Sequence, residues 1–413
     1  MNRFTRYAII AVSVLIIGWV GFGKVLGRSA NDNTYKSLIV YSEVLQKIQQ
    51  DYVDEPDMHL VTAGSLHGLL ESLDSESSYL TPREYTEFKQ KSSSAASGET
   101  GLNLSKRFGY IIVTSVLPDT SAEKAGLHSG DILESIAGFT TREMAVGQAK
   151  NLLAGQQGTG VKVGVIRRGK TDPEEVEVVR EKLSTPRLIA QHVDNETLAL
   201  RFPTLDTSRA DEVRARLLDA QKQGVNRVIL DLRECGRGPV SEAIAIARLF
   251  VPSGQLVALR GQTVPTQVFS ADASKVVWKG PVSILMDGTT TGAAEVLAAS
   301  LANTKRGDLV GDRTFGLASE QKLIPLDDGA ALFLTVANYY NADGKSILEE
   351  GVTPTEVVRA SATAADDSDD GEDVTTTPGT PKDSTIGPRP LSSDDPVLRR
   401  ALELLKSPVK KAA

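Results

Sequence analysis

Residues 282–300 read VSILMDGTTTGAAEVLAAS. The apolar run at 282–286 predicts a strand, and the Ala-rich segment that follows predicts a helix near 292–303. A strand that ends in Gly and hydroxyl residues and then enters a helix is a common way for an α/β enzyme to present a nucleophile. Here the turn presents Thr289, Thr290, Thr291 and Gly292. Its shape is that of a reactive turn, but its chemistry is open.

The same rhythm extends on both sides. Between 181 and 360, apolar strands (LALRF at 198, VILDLR at 228, LVALR at 256, VSILM at 282) alternate with helical stretches near 208–222, 240–250 and 292–303. That order predicts an α/β domain of parallel strands with helical crossovers. Two further strands, near 321–325 and 331–337, complete its core.

From 98 to 180 the pattern shifts to short alternating strands punctuated by glycine: GYIIVTSV, then AEKAGLHSGDILESIAG, then VKVGVIRR. Between them MAVGQAKNLLAG sets Ala145, Ala149, Leu152 and Leu153 on one helical face. The order of elements resembles a PDZ domain, with GLNL at 101–104, AGLHSGDIL at 125–133 and GQQGTGVKVGVIRRG at 155–169 carrying the likeness. In such a domain a peptide adds to the edge strand while N–H groups of a Gly-containing turn hold its terminal carboxylate. The likeness assigns peptide binding to Gly101, Leu102, Asn103 and Leu104, with both leucines lining a pocket for an apolar last side chain.

The chain begins with Arg3 and Arg6 ahead of an apolar run over residues 7–23, followed by Lys24 and Arg28. This predicts an uncleaved single-pass anchor at 1–30, with the bulk of the chain extracytoplasmic (periplasmic) and the N-terminus on the cytoplasmic side of the inner membrane. Residues 31–97 read as a helical module, with Leu38, Tyr41, Leu45, Ile48 and Tyr52 at helical spacing and a second helix at 60–73. Residues 361–392 are an acidic, Pro- and Thr-rich linker with little to bury, and are expected to be disordered. At 393–413, SDDP starts a short helix whose Leu398, Ala401, Leu402 and Leu405 form a docking face.

The net charge of −7 shows no basic stripe of the kind nucleic-acid binding requires. Cys235 is the only cysteine, which excludes an internal disulfide, and the scattered histidines imply no metal or cofactor. No histidine follows His192, so hydrolysis by the α/β domain must use a base other than imidazole.

Together these segments resemble the carboxy-terminal processing peptidases, or tail-specific proteases. The likeness rests on SLDSESSYLTPREYTEF at 72–88, VILDLRECGRG at 228–238, NADGKSILEEGVTP at 341–354 and DDPVLRRALELLK at 394–406. It implies a PDZ module beside a crotonase-like α/β protease domain, a Ser nucleophile and a Lys base whose pKa must be lowered. The family's Gly-Ser-Ala-Ser-Ala-Ser-Glu run, aligned on Glu295, puts the reactive Ser at Gly292. Its Thr-Phe-Gly-Lys-Gly run, aligned on Thr314, Phe315 and Gly316, puts the Lys at Leu317. The two positions are 25 residues apart, the family's own spacing.

Both essential side chains are therefore absent. Gln321, which matches a Gln that supports the Lys, is kept, and reads here as a polar residue at a strand entry. The oxyanion loop, usually Asn-Pro-Gly-Gly, appears as Cys235, Gly236, Arg237 and Gly238, with Arg237 in place of a Gly. Thr290 or Thr291 is expected to cap the following helix, Cys235 to be a buried structural thiol, and Asp312 and Arg313 to form a solvated loop pair. The reading is a pseudopeptidase that binds protein C-terminal tails. Possible partners are an active relative or a second copy joined through the helical module. The alternative is an active serine endopeptidase with a displaced catalytic group, for which Thr289–Thr291, Lys305, Lys322 and Cys235 with His192 are the candidates.

Overall fold

The computed structural model describes residues 32–93, 97–107, 109–142, 144–167, 169–359, 391–392 and 394–406. The expected anchor at 1–30 and nearly all of the 361–392 linker lie outside them. Among the described residues no helix is long and apolar enough to cross a membrane. The helices Asp32–Asp51 and Met58–Glu71 form as predicted. Residues up to Leu66 make up a separate unit, and within it Leu38 and Tyr41 remain exposed.

The PDZ-like module is a six-stranded sheet in the order Leu102–Arg107, Tyr110–Val116, Ile132–Ile136, Gly160–Ile166 and Glu174–Val179, with Phe139–Thr140 added to Ile132–Ile136. The Leu102–Arg107 strand is an edge, and the helix Val146–Leu153 lies beside it. Ala149 and Leu153 are buried in the module's core, as the helical spacing predicts. Glu99 and Glu181 exchange two main-chain hydrogen bonds (2.9 and 2.8 Å), so the module's entry and exit meet.

The α/β domain is built on a six-stranded sheet. The strands Thr197–Arg201, Arg227–Asp231, Val282–Met286, Asp308–Gly311 and Glu356–Val357 run parallel, and Ile189–Asp194 adds antiparallel at one edge. Ile284 and Met286 point into the main core, which also holds the helices Arg209–Lys222, Val240–Arg248 and Ala293–Asn303. Leu285 points to the other face, where Val397, Leu398, Ala401 and Leu405 of the helix Pro396–Lys406 cover Ala199, Ile229 and Val310. The C-terminal helix thus docks on the back of the sheet. Arg233 fixes its start, bonding Asp231 through Nε and Nη2 (both 2.8 Å) and Asp395 through Nη1 (2.7 Å).

LVALR departs from the predicted parallel sheet. The strand Gln255–Arg260 joins a second, antiparallel sheet with Gln267–Ser270, Ala331–Tyr340 and Ser319–Pro325. A fully apolar run says only that both faces are covered, which is equally true of a strand packed between this sheet and the Ala293–Asn303 helix. The sheet also takes a strand from the lead-in: Ser78–Leu80 pairs with residues 331–333.

Candidate functional site

The helix Ala293–Asn303 is buried on every side over residues 293–301, which explains its alanines: small side chains let strands and the neighbouring helix approach from all directions. Glu295 is the one ionisable residue in that span, and it is wholly buried. Its Oε1 accepts from the Thr314 hydroxyl (2.6 Å) and Gly316 N–H (2.6 Å). Its Oε2 accepts from Gly292 N–H (2.8 Å) and Leu317 N–H (2.7 Å). One carboxylate oxygen therefore holds the amides of Gly292 and Leu317, and the two nitrogens lie within about 5.5 Å of each other.

Burial pushes the Glu295 carboxyl up to about 7, with the four donors opposing that rise. Sequence reasoning used Glu295 only as a landmark. A lone acid within an otherwise Ala- and Leu-rich helix was the available signal, because a buried carboxylate must find donors.

Gly292 is the N-cap, at φ +57 and ψ −118. This is a left-handed conformation that side chains resist, the strained form expected of a sharp strand-to-helix turn. A Cβ built on it meets nothing within 4 Å. The turn has open space in front of it.

The threonines do not cap the helix, contrary to expectation. Glu295 at the third helical position already accepts the Gly292 N–H, so the hydroxyls serve the turn instead. Thr289 Oγ1 accepts from Glu234 N–H (2.7 Å), Thr290 Oγ1 donates to the Leu232 carbonyl (3.0 Å), and Thr291 N–H donates to the Cys235 carbonyl (3.0 Å). Together they tie the turn to the loop after VILDLR.

That loop carries Cys235–Gly238, the segment that the family resemblance aligns with an oxyanion loop. A Cβ on Gly236 would stand 2.4 Å from Thr291 Oγ1, 3.4 Å from Ser115 Oγ and 3.7 Å from Asn103 Nδ2. The loop therefore packs against the first two strands of the PDZ-like module. Gly238 turns at φ +129 with its Cα beside the Leu205 carbonyl. Cys235 is fully buried, and burial pushes its thiol up to about 12 against a main-chain hydrogen bond from Arg237. Such a thiol is a poor nucleophile, and His192, its suggested partner, is exposed on the strand Ile189–Asp194.

Lys305 and Lys322 are exposed, Lys305 past the far end of the helix about 16 Å from Gly292. Gln321 is also exposed, and its amide donates to the Glu76 carbonyl (2.8 Å). Asp312 and Arg313 lie in a loop, Arg313 exposed and Asp312 half-buried; Asp312 faces Arg359 at 3.9 Å and accepts from the Arg313 main-chain N–H (2.8 Å).

Beside the PDZ edge strand lies a cavity of about 420 Å³, whose lining includes Gly101, Leu102, Asn103, Lys150, Leu153 and Arg237. Leu104, expected to line the pocket, is not among its walls. It lies in the module's core, after a shift of register between Asn103 and Leu104. Arg107, at the end of the same strand, donates to the Phe315 carbonyl (3.0 Å) and stacks over its ring (4.2 Å). The PDZ module therefore touches both loops of the candidate site.

A PDZ-like module packed on an α/β sheet with a strained strand-to-helix turn defines the class, a peptidase scaffold with a PDZ module. Residues 196–358 match peptidase family S41, and residues 90–166 match the PDZ domain. The chain is 28% identical over 331 residues to a carboxy-terminal-processing protease of Bartonella bacilliformis, covering 79% of this chain and 76% of the relative. It is 27% identical over 350 residues to carboxy-terminal processing protease CtpA of Bacillus subtilis, covering 84% and 74%. A solved structure of the photosystem II D1 C-terminal processing protease shares the fold, with a TM-score of 0.64 at 23% identity over 78% of this chain and 92% of that one. Together these matches support a peptidase of the carboxy-terminal processing type, a group of serine-type hydrolases.

Proposed function

We propose that this protein is a membrane-anchored, extracytoplasmic member of the family that binds protein C-terminal tails through its PDZ groove and does not cleave them. The observation that carries the reading is the shared bond to Glu295. The two positions aligned with the nucleophile and its base meet at one carboxylate, and one is glycine while the other is leucine. Covalent hydrolysis needs an attacking atom and a base at that junction, and neither side chain supplies one.

Four of the substitutes weighed from sequence have other employment or are out of reach. The Thr289 and Thr290 hydroxyls latch the turn, Cys235 is sealed in the core, and Lys305 is far along the helix. The anchor reading is supported by the apolar run at 7–23 between flanking arginines and Lys24. With the dyad absent, a role beside an active relative, sorting or shielding its substrates, fits the retained groove, as does pairing of two copies.

The test is cleavage of an unstructured protein with an apolar C-terminus by the purified full chain, beside the Gly292→Ser, Leu317→Lys double variant. The parent is expected to leave the substrate intact, and the double variant to cut it. Cleavage by the parent that persists through purification to constant specific activity would overturn the reading.

A further inference from the structure

Arg237 stands in the altered oxyanion loop, yet its side chain leaves that site. Its Nη2 bonds Glu99 Oε2 at 2.9 Å, and it lines the same cavity as Thr100, Gly101 and Leu102. A residue of the peptidase domain therefore forms part of the PDZ groove. Its main-chain carbonyl accepts from Leu205 N–H (2.7 Å), so the backbone that carries the side chain is held in place.

The chemistry of the cavity favours one kind of occupant. Its charged walls are Arg237, Lys150 and Glu99, two cations to one anion. Leu102, Leu153, Phe88 and Phe333 supply the apolar part. The ligand that satisfies both is a chain end, with an apolar last side chain and a free carboxylate. A guanidinium suits that carboxylate better than an ammonium does, because its fork can engage both oxygens.

We infer that Arg237 binds the terminal carboxylate of a protein tail in this groove, exchanging the Glu99 carboxylate for that of the ligand. Glu99 acts as an internal competitor. The side chains of Glu99 and Arg237 are 53% and 38% exposed, and so open a pair exchanges partners at little cost. The assignment rests on the peptide-binding reading above, and it adds a residue that the PDZ module itself does not contain.

The experiment measures fluorescence anisotropy of the full chain with a fluorescein-labelled octapeptide ending in Ala-Val, as the free acid and as the C-terminal amide. Three proteins are compared: the parent, Arg237→Ala and Glu99→Gln. For the acid, Arg237→Ala should raise Kd about five- to tenfold, and Glu99→Gln should lower it about two- to fivefold. The amide should bind weakly to all three with little difference among them. The gap between parent and Arg237→Ala should shrink as salt rises from 50 to 500 mM.

A merely structural ion pair would give the same sign for both variants, and would affect acid and amide alike. Either pattern, or acid binding that ignores Arg237, would overturn the assignment alone. Absence of saturable binding of the acid peptide to the parent would overturn the peptide-binding reading and the assignment with it.

Discussion

Replacing Glu295 by glutamine keeps the shape of the side chain and changes what it can accept. The carboxylate takes two donors on each oxygen, three of them main-chain N–H groups. With the amide nitrogen in the place of Oε2, the Gly292 and Leu317 N–H groups both face another donor. With it in the place of Oε1, the Thr314 hydroxyl can turn to accept, but Gly316 N–H is left without an acceptor. At least one buried donor is therefore orphaned, at a cost of about 1–3 kcal/mol.

The pH dependence gives a second handle. The folded carboxyl titrates at about 7 against a reference of 4.5, so the folded state takes up a proton more readily than the unfolded chain. Its contribution to stability is fully present below the lower value and is lost as pH rises through the higher one, a span worth about 3 kcal/mol. Glutamine cannot take up that proton. The parent should therefore lose stability from pH 4.5 to 7.5 along a slope that Glu295→Gln lacks. Urea unfolding followed by the fluorescence of Trp278, buried in this domain, reads the transition directly. A variant as stable as the parent across this range would refute the account of Glu295 as the tie between the two loops.

Other outcomes follow from the same geometry. Gly292→Ala should cost about 1–3 kcal/mol through backbone strain alone, since its Cβ meets no atom. Gly238→Ala should cost more in the same urea assay, because its Cβ would fall 2.2 Å from the Leu205 carbonyl. Arg233→Ala strips the partner from fully buried Asp231 and frees Asp395, so about 3–5 kcal/mol should be lost. Limited proteolysis should then cut the variant near residues 394–406 at protease levels the parent survives. Cys235 should resist a thiol reagent until the domain unfolds, and rapid labelling of the native chain would contradict its burial.

Much of this structure could be read from the chain. The apolar strands at 198, 228 and 282, the helices between them and the strand order of the PDZ module all follow from periodicity and glycine punctuation. LVALR was misplaced because burial on both faces does not say which sheet a strand joins. The threonines were misread because a helix start offers donors to any nearby acceptor, and sequence does not show that Glu295 reaches the first of them. Arg237 was legible as a departure from the family loop, but not as a side chain that crosses to another module. Long-range pairs of that kind have no local pattern to mark them.

The short strand Ser78–Leu80 carries a consequence for how the chain is made. Its partner on the antiparallel sheet lies at residues 331–333, with the whole PDZ module and most of the α/β domain in between. During synthesis that edge must wait for roughly 250 residues to emerge, while the PDZ module, closed at its own base, can fold as soon as residue 181 is out. The PDZ module is thus folded before the scaffold around Gly292 is closed. A ribosome stalled between 181 and 331 would display a folded PDZ module, its groove still lacking the Phe333 wall, on an unfinished platform.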